Sequence, residues 1–157
     1  MSRVARSARV ASRQRVETLG NGTSAATAKT IAKGETGELY LIDHNHASAL
    51  TITLPTMQDG AYFKFIVKTK LDDNSGSIVI QSSEATAGDF IGGVVEQVLN
   101  AGDGAVSYQL CGSHDILTIS DDVNAGSWIE CVCDGSNWYI TGIVLVEAVG
   151  PNAVFSS

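Results

Sequence analysis

The feature that most constrains this chain is a two-residue alternation. In "ALTITL" (49–54), Leu50, Ile52 and Leu54 fall on one side of an extended strand, and Thr51 and Thr53 on the other. "AYFKFIVKT" (61–69) repeats the pattern, with Phe63, Phe65 and Val67 opposing Tyr62 and Lys64. Coiled into helices, these segments would bury threonine and lysine among the aliphatics. As strands they offer one face to a core. Further strand-type runs lie at 28–32, 38–43, 77–82, 89–95, 115–120, 127–133 and 137–146, separated by Gly, Asp and Asn. Turn signals every ~8–12 residues predict an all-β sandwich or barrel. The stretch 92–99 is the one place with a helix-like apolar stripe. Residues 96–114 are weakly patterned and are expected to form a loop or an interaction surface.

At 157 residues the chain is most simply one domain. No run of ~18 apolar residues predicts a membrane helix. The basic start "MSRVARSARVASRQRV" is not followed by an apolar segment, so no secretory signal is expected. Three cysteines, Cys111, Cys131 and Cys133, do not make a disulfide framework, and reduced thiols are expected.

The net charge of −7 hides an asymmetry. All the arginines, Arg3, Arg6, Arg9, Arg13 and Arg15, precede the first acid, Glu17; residues 1–15 carry +5 and the remainder −12. We therefore divide the chain into a basic arm (1–19), a linker (20–26) and an acidic β body (27–157). The arm has no aromatic residue to interleave with bases, and the body would repel a duplex. Docking on an acidic protein surface fits it better than nucleic acid.

Motifs with chemical potential fare poorly. "HNH" (44–46) would place His44 and His46 on one side of a strand, as a metal site needs. A cupin-type site also needs a nearby downstream carboxylate, and no acid lies between His46 and Asp59. His114, with Asp115 beside it, is a distant candidate third ligand. A polar loop is the better reading. Cys131 and Cys133, two apart on a strand, lack the second pair of a zinc ribbon and read as small inward hydrophobes beside Ile129. There is no G-x-S-x-G, and the glycine pairs at 92–93 and 102–104 lack a P-loop lysine. Asp72–Asp73 and Asp121–Asp122 sit in turn-like text. The expectation is no enzyme, no metal and no cofactor.

Four phrases in order carry a resemblance: "TIAKGETGELYLID", "ALTITLPTMQDGAYFKFIVKT", "DFIGGVV" and "GSWIECVCDGSNWYITG". Together they span roughly three quarters of the chain. They resemble a family of small tailed-phage structural proteins, the capsid decoration or head cement proteins. Thr51, Ile52, Thr53, Leu54, Pro55, Gly60, Phe63 and Phe65 fall on its second motif, and Asp134, Gly135, Trp138, Tyr139 and Gly142 on its last. The resemblance implies a sandwich or barrel of jelly-roll or β-tulip type. It also implies a non-enzymatic homotrimer, synthesised in the host cytoplasm and located on the exterior of the expanded capsid of the virion, where it bridges major capsid proteins. The arginine arm has no counterpart in the family motif and is expected to contact the shell. Two rival readings stay open: a receptor- or glycan-binding module of a tail fibre or spike, stacking through Trp128, Trp138 and Tyr139, and a cupin-like metal protein. The last phrase is expected to be a hairpin turning at "DGSN", with Ile129, Cys131, Cys133, Trp138 and Ile140 facing inward.

Overall fold

A computed structural model describes residues 14–21, 28–71, 75–84, 89–99, 105–147, 150 and 152–157. The fold is all-β: two mixed sheets pack face to face as a sandwich. The strands are β1 (Val16–Leu19), β2 (Ala28–Thr30), β3 (Leu39–Ile42), β4 (Leu50–Thr53), β5 (Tyr62–Val67), β6 (Ile78–Gln81), β7 (Phe90–Val98), β8 (Val106–His114), β9 (Ile116–Ile119), β10 (Trp128–Cys133), β11 (Trp138–Val146) and β12 (Ala153–Ser156), with a 3₁₀ turn at Lys33–Glu35. One sheet has the order β1-β3-β5-β10-β11-β7-β8, the other β12-β9-β6-β4-β2.

The first six strands alternate between the sheets, so the chain winds as a two-walled coil. On one wall β1, β3 and β5 are parallel, with Val16 opposite Leu39 and Leu39 opposite Lys64. On the other wall β2, β4 and β6 are parallel, with Ala28 opposite Thr51 and Leu50 opposite Ile78. Five of the ten strand pairings are parallel and five antiparallel. The winding is thus mixed, whereas jelly-roll winding is antiparallel. The β10–β11 hairpin enters between β5 and β7, and β8 closes the far edge after a bulge at Ser113, which sits at φ 96°.

The alternation read in the sequence fills the space between the sheets. Leu50, Ile52, Ile78, Ile80, Leu117 and Ile119 meet Phe63, Phe65, Ile129, Cys131, Ile140 and Val144, all of them buried. Tyr40 stacks on Phe65 with centroids 5.3 Å apart, and Phe63 tilts against Trp138 at 5.9 Å.

The nine strand-type runs of the sequence each hold a strand. Three strands lie where none was expected. β1 takes the last four residues of the segment read as arm, with Leu19 in the core. β8 takes much of the stretch read as a loop, and the helix-like stripe at 92–99 belongs to β7. β12 is the third.

Candidate functional site at the root of the arm

Of the five arm arginines only Arg15 lies among the described residues; Arg3, Arg6, Arg9 and Arg13 lie outside them. The backbone around Arg15 is fixed to β3, because Leu39 N–H donates to Arg15 O at 3.0 Å. Parallel pairing of β1 with β3 and close approach of β2 then gather three acids from distant parts of the chain. Carboxylate oxygens of Glu17, Glu35 and Glu38 lie within 4.8 Å of one another. Such a trio repels itself unless cations sit in it. Lys29 supplies one: its Nζ donates to Glu17 Oε1 and Oε2 (3.0 and 2.8 Å) and to Glu35 Oε1 (3.1 Å). Arg15 supplies the other, with Nη1 2.8 Å from Oε1 of the buried Glu38, an ion pair without hydrogen-bond alignment.

The electrostatics follow from that packing. Burial works against the Lys29 ammonium, but its hydrogen bonds to Glu17 and Glu35 outweigh burial and hold its pKa above the ordinary lysine value. Burial likewise works against the Glu35 carboxylate, which the Ala32 N–H (2.6 Å) and Lys29 more than offset, so its pKa is lowered. Burial and the surrounding acids push the Tyr40 phenol well up, so it stays neutral while its hydroxyl reaches Glu38 Oε2 at 3.4 Å. Oxygen donors of this kind suit a hard cation, but Lys29 and Arg15 already occupy the knot and offset two of its three negative charges. The knot ties Arg15 to the edge of the larger sheet.

The motif residues are framework. Leu54, Pro55, Phe63, Phe65 and Trp138 are buried. Gly142 faces inward on β11, where a Cβ would sit 2.4 Å from Trp128 O. Gly60 (φ 77°) and Gly135 (φ 91°) hold left-handed turn conformations that favour glycine. Asp134 Oδ1 accepts the N–H groups of Ser136 and Asn137, both at 2.8 Å, and Tyr139 donates its hydroxyl to Oδ2 at 2.9 Å. These bonds hold the Asp134 carboxyl below its usual range. The hairpin therefore turns at residues 134–137, and Ile129, Cys131, Cys133, Trp138 and Ile140 all face inward as read from the sequence.

Other candidates scatter. His44 and His46 lie in the loop between β3 and β4; His44 is 1% exposed with neither ring nitrogen hydrogen-bonded, and His46 Nδ1 accepts Ser48 N–H at 3.1 Å. Burial lowers the His44 pKa. His114 instead lies at the end of β8, 3.6 Å from Cys111 Sγ. Among the described residues, the one group of three potential metal ligands is the glutamate trio. The three cysteines are free and buried; burial, and Glu130 beside it, push the Cys131 thiol well up. Asp121 and Asp122 occupy a turn, whereas Asp72–Asp73 and residues 102–104 lie outside the described residues. Gly92 and Gly93 lie within β7, where a Cβ would meet Ile140 O and Gln109 O at 2.3 and 2.4 Å, so they allow close strand approach. Of the three aromatics offered for glycan stacking, Trp138 is wholly buried and Trp128 is half-buried with the Lys64 ammonium 4.7 Å from its ring centre. Tyr139 alone is exposed.

Glu35 and Glu38 meet locally, with Glu38 N–H donating to Glu35 O at 3.1 Å, but only the parallel winding brings Glu17 and Lys29 to them, and no sequence signal marks that. Compared with protein-family models, curated proteins and solved structures, the chain matches none of them.

Proposed function

We propose that this chain is a non-enzymatic structural protein of a phage virion, binding the outer surface of the expanded capsid as a trimer and bridging major capsid proteins. The observation that carries the reading is that the end of the basic segment is tied to the sandwich. Most of the resembling motif residues occupy the buried framework and tight turns, and residues 14–19 are held at the edge of the larger sheet by the pairing of β1 with β3 and by the Arg15–Glu38 ion pair. A decoration protein needs such a body to span subunits and an extension to grip them. Binding that exists only on the expanded shell stabilises it by mass action, and several weak contacts per trimer add through avidity. The burial of Trp138 and half-burial of Trp128 favour this reading over glycan stacking.

The test is cosedimentation with empty, expanded shells, set against binding to intact host cells. The full chain is expected to pellet with shells. Deleting residues 2–13, which spares the Arg15–Glu38 pair, is expected to leave a folded protein with weakened shell binding. Undiminished binding would sink the role of the arm, and binding to cells alone would favour the tail-fibre reading.

A further inference from the structure

The two outward faces of the sandwich differ in how much apolar side chain they expose. The five-stranded sheet turns Thr30, Thr51, Thr53, Gln81 and Thr118 outward, with Gln81 hydrogen-bonded to the Thr53 hydroxyl; of the apolar residues beside them, Val79 and Ile116 are half-buried and Val154 is exposed. By the same register, the seven-stranded sheet turns Val106, Tyr108, Leu110, Ile91, Val132 and Tyr139 outward. On β8 the exposures of Val106, Tyr108 and Leu110 are 63%, 66% and 73%. Large apolar side chains repeated across neighbouring strands are not the surface of a sheet that meets only water.

We infer that this outer face of the seven-stranded sheet is covered by a second copy of the same chain. Area and charge both point to that occupant. Seven strands ~4.8 Å apart and ~3.3 Å per residue along them give the face about 700 Å². A stable protein pair buries ~800 Å² per partner, so one such face nearly suffices. The charged strand residues of this face are Lys64 and Glu130, joined to each other at 2.7 Å. The strands of this face therefore carry no net charge on a chain of net charge −7, with Asp134 at the rim beside Tyr139, and it is where two copies meet with least repulsion. The same neutrality argues against the chain's own residues 1–13 as occupant, because their four arginines would find no unpaired acid on these strands. The edge adds a second reason. β8 is nine residues long and contains no Lys, Pro, Asp or Glu, residues that usually protect an edge strand, and its bulge at Ser113 lies beyond the Val106–Leu110 stretch. One face meeting the same face of a second copy closes a two-fold pair, so the inference goes beyond the trimer of the proposed function and does not rest on it.

Sedimentation of the full chain alone, without shells, tests it. Across about 1 to about 200 µM the wild type is expected to associate reversibly into a multiple of the chain mass. Tyr108→Lys with Leu110→Lys should weaken association by about tenfold or more while leaving the β-sheet circular dichroism unchanged. Thr51→Lys with Thr53→Lys, on the opposite face, should associate as wild type. If the β8 double variant loses its dichroism, Val106→Lys at the rim of the patch is measured instead. A wild type that stays monomeric overturns the inference and gives the face to a different partner. So does a folded β8 variant that associates undiminished. Self-association without shell binding would instead sink the virion reading and leave this surface standing.

Discussion

Arg15 places Nη1 2.8 Å from Oε1 of Glu38, so an arginine side chain 76% exposed neutralises a carboxylate 4% exposed. The two ends of this pair have different stakes. The guanidinium keeps most of its water if the contact breaks, whereas the carboxylate is left as a buried charge.

That asymmetry predicts a non-additive pair of substitutions. Arg15→Ala is expected to cost roughly 1 kcal/mol, the partner's exposure discounting the larger values of fully buried pairs. Arg15→Ala combined with Glu38→Gln should recover most of the loss, because an uncharged amide no longer needs the cation. Urea unfolding of the four proteins measures the cycle.

Stability should fall between neutral and mildly acid pH because of His44. Its imidazole is buried, and burial lowers its pKa below the ordinary value of ~6.5. The unfolded chain then takes up the proton first as pH falls. The stability is complete above ~6.5 and is lost as the pH drops from there towards the folded value. Melting temperatures at pH 7.5 and 5.5 should differ less in His44→Leu than in the wild type; an equal difference would show that other groups set the slope.

Two glycines in neighbouring parts of one sheet should respond oppositely to alanine. At Gly142 a Cβ would lie 2.4 Å from Trp128 O, so the β10–β11 hairpin must open, at a cost of about 3 kcal/mol or more. At Gly112 on the β8 edge nothing lies within 4 Å, and alanine is expected to be tolerated within about 0.5 kcal/mol. Thermal unfolding of both variants separates them.

The thiols should be silent in the native protein. Cys111, Cys131 and Cys133 are buried, and burial raises the pKa of Cys111 and, further, of Cys131. A disulfide reagent at pH 8 is expected to label almost nothing until denaturant is added, and then three thiols. Rapid native labelling of Cys131 would contradict its place on the inner face.

The sequence showed strands wherever the apolar side of the alternation points into the core, as at Leu50, Ile52 and Phe63. It misled where that relationship inverts. In "VSYQL" of β8 the two-residue period is present, but Val106, Tyr108 and Leu110 face outward while Ser107 and Gln109 face inward. With small and polar residues on the side expected to be apolar, the segment reads as a loop. β1 escaped notice because four residues at the end of an arginine-rich arm carry too little pattern to be seen. The knot of Glu17, Lys29, Glu35 and Glu38 depends on which turn of the coil lies beside which. No local spacing encodes that.

The position of the β10–β11 hairpin, between β5 and β7, has a consequence for how the chain is made. The middle of the larger sheet consists of residues 128–146, which follow every other strand of that sheet in the chain. A ribosome that has released β1 through β9 has produced two half-sheets with no bond between them, each exposing an open strand where the hairpin belongs. The nascent chain is a wall missing its keystone, and its larger sheet closes only as the hairpin emerges.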